Sequence, residues 1–173
     1  MDDERIIALQ DAIQRAFPAI PYTGKVTRCD GAWLPELTEE NAIHDDDKFL
    51  FEALKNRKWT DVPKQFLYEM PGDFVLLTNE ALTAFLAAWL MCSLDNIAGE
   101  NVVREYVVYA FSPSGVTPTT DFITNQLRAL NPEQGSVLRK LLAEFALREP
   151  SEFVKKRARD AVALIDSLTV SPQ

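Results

Sequence analysis

The fourteen residues "ALTAFLAAWLMCSL", residues 81 to 94, constrain the fold more than any other stretch of the chain. Leu82, Phe85, Leu86, Trp89, Leu90 and Cys92 are distributed around nearly the whole circumference of a helix, so a helix built from them has no face suited to water. It needs neighbours on every side. The run is interrupted by Thr83 and Ser93 and is shorter than the roughly 20 apolar residues that cross a bilayer, so it reads as the central helix of a protein core. Thr78 is placed to cap it, and the helix is expected to run to about Leu94.

The rest of the chain supplies helices that could surround such a centre. Ile6, Ile7, Leu9, Ile13 and Phe17 recur mostly at helical spacing behind an acidic start, and Pro18 and Pro21 end that segment. In "HDDDKFLFEALKNRK", Phe49, Leu50, Ala53 and Leu54 form an apolar stripe, the aspartates suit a cap and first turn, and the closing cations suit a C-terminus. This pattern predicts a helix over about 47 to 57. Thr60 or Asp61 can cap a short helix with Pro63 near its start, ending before Pro71 and Gly72, with Trp59 packed at the joint.

The run "ENVVREYVVYAF" is ambiguous. Its valines and tyrosines suit a strand, but Val102, Val103, Tyr106, Val107, Ala110 and Phe111 keep helical spacing, and helix is the better reading. "SPSGVTPTT" reads as a loop, after which Thr120 or Asp121 caps a helix carrying Phe122, Ile123, Leu127 and Leu130. "NPEQ" combines an asparagine cap, proline at the first helical position and Gln134 placed to close a capping box. In the last helix Val154, Ala158, Ala161, Val162, Ile165 and Leu168 form a buried stripe, and Lys155, Lys156, Arg157 and Arg159 face water. The expected architecture is all-α: one domain over 1–173, of about seven helices, with a long irregular segment over about 18–45.

Charge narrows the function classes. The net charge is -8, and residues 1–100 carry 18 acidic against 9 basic side chains, whereas residues 101–173 carry 8 against 9. The excess peaks where Asp30, Glu36, Glu39, Glu40, Asp45, Asp46 and Asp47 occur with no Lys or Arg among them. A field of that sign repels phosphate backbones, so no nucleic-acid partner is expected there. The run "KKRAR" reads as the wet face of the terminal helix. The acidic, amphipathic start lacks the basic and then apolar pattern of a secretion signal, so a cytoplasmic protein with no membrane partner is expected. Cys29 and Cys92 have no second thiol or histidine at ligand spacing and are expected to be reduced, and buried or half-buried.

Three blocks, "ALKNRKWTDVP", "FVLLTNEALTAFLAAWLMCSL" and "LRALNPEQGSVLRKLLAEF", resemble a family of small bacterial proteins known only as a domain of unknown function. The similarity covers roughly residues 40 to 147 and rests on Trp59 and Thr60, on Leu77, Thr78, Glu80 and Ala81, and on Glu133 and Gln134. Asn79 stands where the family has proline, and Ala88 and Trp89 replace a later one. The resemblance implies a bacterial, cytosolic, mainly helical protein, and it carries no catalytic residues.

Nothing in the sequence matches a phosphate loop, a dinucleotide turn, a nucleophile elbow or a zinc-protease helix. No catalytic residue, cofactor or metal is therefore assigned. Two function classes remain in view. In the first, the irregular acidic segment with Trp33 inside it docks on a basic protein, with Asp30, Trp33, Glu36, Glu39, Glu40, Asp45, Asp46 and Asp47 forming the partner-binding surface. The concrete form of that expectation is a non-enzymatic, immunity-type inhibitor that neutralises a toxin or effector. The alternative is a carboxylate-metal hydrolase built from Glu39, Glu40, His44, Asp45 and Asp47.

Overall fold

The computed structural model describes residues 3–27, 45–95, 99–113 and 120–170. Over them the chain forms eight α-helices: α1 (Asp3–Ala16), α2 (Asp45–Leu54), α3 (Lys64–Glu69), α4 (Asn79–Ser93), α5 (Val102–Phe111), α6 (Thr120–Ala129), α7 (Pro132–Arg148) and α8 (Glu152–Val170). Two 3₁₀ turns, Trp59–Asp61 and Asp73–Leu76, link the helices on either side of α3. Among the described residues extended pairing is limited to one isolated antiparallel bridge, Thr27 with Leu77.

Helix α4 occupies the centre that its composition demands. Leu82, Phe85, Leu86, Ala87, Trp89 and Leu90 are all fully buried, and α1, α3, α5, α6 and both 3₁₀ turns pack against the helix. Thr78 accepts a hydrogen bond from the Ala81 amide at 3.1 Å, which fills one of the donors a helix start leaves open. The Trp89 ring meets Phe66 and Phe74 at centroid distances of 6.3 and 5.6 Å, and Phe74 stacks on Phe111 at 6.1 Å. Its indole N–H donates to the Met70 carbonyl at 3.2 Å, so the polar edge of the ring is satisfied inside the core. Around this centre α7 pairs with α8 and α1, and α8 packs on α5, giving one contiguous core.

The segment after α1 is irregular but tied by its backbone. Tyr22 donates to the Arg57 carbonyl at 2.9 Å and accepts from the Asn56 amide at 3.0 Å, while its ring meets Phe85 edge-on at 5.7 Å. Further along, the Thr78 amide donates to the Val26 carbonyl and the Thr78 hydroxyl to the Lys25 carbonyl. The cap of the central helix is thus also a clamp on this segment.

Three expectations need correction. Helix α2 covers Asp45–Leu54 and stops short of residue 57, because Asn56 turns into the left-handed region at φ 59° and sends the chain back toward Tyr22. Arg57 and Lys58 therefore lie beyond the helix end. Neither Thr60 nor Asp61 caps α3, whose N-cap is Pro63 without a side-chain bond; the Asp61 carboxylate accepts from the Lys58 amide inside the preceding turn. Residues 102–111 form helix with Asn101 as cap, but Val102 and Tyr106, assigned to its apolar stripe, are exposed.

Candidate functional site

Asp45, Asp46 and Asp47 form the first turn of α2. Acidic residues at that position suit the positive end of the helix dipole, which accounts locally for a helix start at this point. Asp30, Trp33, Glu36, Glu39, Glu40, His44 and Cys29 lie outside the described residues. The acidic surface expected from the sequence is therefore described only at its C-terminal edge.

Past that edge, α2 departs from the sequence expectation. Leu50 and Leu54 are fully buried and fix the inner face of α2, which leaves Phe49 48% and Phe51 41% exposed. Phe49 stacks on the buried Phe66 of α3 at 5.8 Å, so its ring is held in place while part of it meets solvent. Lys55 lies over the Phe51 ring, its ammonium 4.7 Å from the centroid, and steadies the second aromatic. Glu52, the residue after Phe51, is exposed. The arrangement is an acidic helix start followed by two positioned, half-exposed phenylalanines. The apolar stripe read from the sequence placed Phe49 inward with Leu50; in the structure Leu50 and Leu54 are the fully buried pair, and Phe49 packs at the edge on Phe66 of α3.

Two polar groups inside the molecule were also missed. Arg104 is 1% and Glu149 4% exposed, and they pair at 3.0 Å. Arg104 also donates to the carbonyls of Ser93, Gly99 and Asp95 at 3.1, 3.2 and 3.1 Å. Asn101, the α5 cap, reaches the carbonyls of Cys92 and Asp95 at 3.0 and 2.9 Å. Together they close the C-terminal end of α4, where helix geometry leaves carbonyls open. This cluster is saturated by protein groups and serves as a joint between α4, α5 and the end of α7. Its sequence signal is position: Arg104 falls between Val103 and the buried Val107 and Val108, inside the buried arc of α5.

A second cluster joins Lys64, Tyr68, Cys92 and Asp95. Lys64 and Asp95 form an ion pair at 2.8 Å, and hydrogen bonding to Asp95 raises the lysine pKa. Burial raises the Cys92 thiol above its ordinary range, with the Asp95 carboxylate adding to the effect. A thiol kept protonated is a poor nucleophile, so Cys92 is not set up for covalent chemistry. Among the described residues no group of three or more His, Cys, Asp or Glu side chains could hold a metal ion, and no helix is long and apolar enough to cross a membrane. The metal site considered around His44 lies mostly outside the described residues. Comparison with protein families, characterised proteins and solved structures finds no match to this chain.

Proposed function

We propose that the protein is a non-enzymatic binding module that docks a basic protein partner, in the manner of an immunity-type inhibitor covering the working surface of a toxin or effector in the bacterial cytosol. The observation that carries this reading is the exposed pair Phe49 and Phe51 on a helix whose first turn is three aspartates. Interfaces concentrate their energy in a few aromatic anchors, and charge around the anchors sets the encounter rate. Here both parts sit on one short helix. The anchors are positioned before binding, Phe49 by stacking on Phe66 and Phe51 by Lys55, which limits the ordering cost of association. The acidic residues 30–40 extend the same charge in sequence and belong to the proposed surface.

The test is capture of a partner from lysate on the tagged chain at low and moderate salt, followed by kinetics with the purified partner. One stoichiometric basic protein released by salt is expected. Replacing Asp45, Asp46 and Asp47 together by Asn should slow association about tenfold or more, while Phe51→Ser should mainly speed dissociation. A purified partner indifferent to both changes would overturn the reading.

A further inference from the structure

A second surface, on different helices, is a row of aromatic rings with one arginine at its end. On α5, Val102, Tyr106 and Tyr109 follow one another at i, i+4 and i+7 and so share a face. Val102 and Tyr106 are exposed on it, and Phe153 at the start of α8 is 58% exposed. The rings form a row: Tyr106 meets Tyr109 at 6.3 Å and Tyr109 meets Phe153 at 6.2 Å, both edge-on. Tyr106 also covers Gly72, where an added Cβ would come within 2.4 Å of its ring, so the row rests on backbone at one end.

The cation in this row is available. Arg157 lies over the Phe153 ring at 5.1 Å, and among the described residues no carboxylate is within ion-pair distance of it. Its neighbours are engaged: Lys155 pairs with Glu152 and Lys156 with Asp160. Arg157 is half-buried beside that ring, and a guanidinium can make a two-pronged bond to a carboxylate that lysine cannot. We infer that the face formed by Tyr106, Tyr109, Phe153 and Arg157 docks an acidic protein segment presenting a carboxylate beside an aromatic or aliphatic side chain. The carboxylate bonds the Arg157 edge and the apolar side chain lies on the tyrosine row. This surface is independent of the α2 surface: it takes a partner of the opposite charge and uses none of the same residues.

The test is selection of a displayed random-peptide library on the intact chain, followed by titration of the selected peptides, made synthetically, into the wild-type protein and into Arg157→Glu, Phe153→Ala and Gly72→Ala. All three variants are first checked by circular dichroism for an unchanged helical spectrum. Gly72→Ala is included because it displaces the Tyr106 ring without touching Phe153 or Arg157. The expected result is enrichment of Asp or Glu next to Phe, Leu, Tyr or Trp, with affinity falling about tenfold or more in Arg157→Glu and Phe153→Ala. Asn-for-Asp versions of the peptides should lose a comparable factor. No enrichment, enrichment of basic peptides, or affinities untouched by the substitutions would each overturn the inference. So would self-association of the wild-type chain abolished by the same changes, since that would identify a second copy as the occupant. Phe49→Ser, which disables the α2 surface, should leave peptide affinity unchanged, so failure of one surface is distinguishable from failure of the other.

Discussion

Arg104 and Gln126 are both fully buried polar side chains, and their opposite circumstances give opposite predictions. Arg104 has Glu149 and three carbonyls as partners. Removing the carboxylate in Glu149→Ala strands a desolvated cation, and urea denaturation should show a loss of about 3–5 kcal/mol. Gln126 on α6 has no hydrogen-bond partner for either amide atom among the described residues. An unmet buried amide costs about 1–3 kcal/mol, so Gln126→Leu, similar in length and apolar, should raise stability by about 1–2 kcal/mol in the same assay. A fall would show that the amide is bonded. Cys92 supplies a pH effect whose sign follows from burial. The folded thiol titrates above its unfolded value, so its contribution is fully present below the unfolded pKa and is lost as pH rises through the folded one. Wild-type stability should therefore decline above about pH 8.5, and Cys92→Ala should flatten that decline in melts taken across the alkaline range.

The helices divide into those announced by their own ends and those defined by their surroundings. Thr78 and the pair Asn131 and Gln134 are local chemistry, and the structure places caps at those residues. Thr78→Ala should cost more than the usual cap loss of about 1 kcal/mol, because the hydroxyl also donates to the Lys25 carbonyl. Thr78→Ser keeps both bonds and should recover most of the loss, as read from paired thermal melts. Features that the sequence could not announce were set by partners distant along the chain. The end of α2 depends on Asn56 meeting Tyr22, 34 positions earlier in the numbering. The outward placement of Val102 and Tyr106 depends on the rest of α5 facing α4 and α8. For α5 itself, valine-rich composition favoured a strand, and helix won because burying Val103, Val107, Ala110 and Phe111 together requires the helical period. The candidate site was legible as charge, since Asp45 to Asp47 stand together in the sequence. Its aromatic half was not, because the stripe that reveals Leu50 and Leu54 assigns Phe49 to the same inner face.

Taken whole, the molecule sets two surfaces of different chemistry on one core. An acidic start with exposed phenylalanines on α2 and an aromatic row with Arg157 on α5 and α8 are the faces proposed to dock partners of opposite charge. Association at α2 should slow as salt is raised, because steering by charge is screened over about 10 Å at ordinary ionic strength. Divalent ions should leave the melting temperature unchanged if the protein acts by docking, whereas a rise would direct attention to the carboxylates around His44. Folding is also shaped at this scale by the joint that Arg104 makes. Its counter-charge, Glu149, lies 45 positions later and closes α7. During synthesis α4 and α5 leave the ribosome well before that residue, and until it emerges the guanidinium has no carboxylate to bury against. The joint between the fourth and fifth helices is therefore completed only when the end of the seventh has emerged. Purified fragments ending before Glu149 should remain sensitive to protease, and the full chain should resist it.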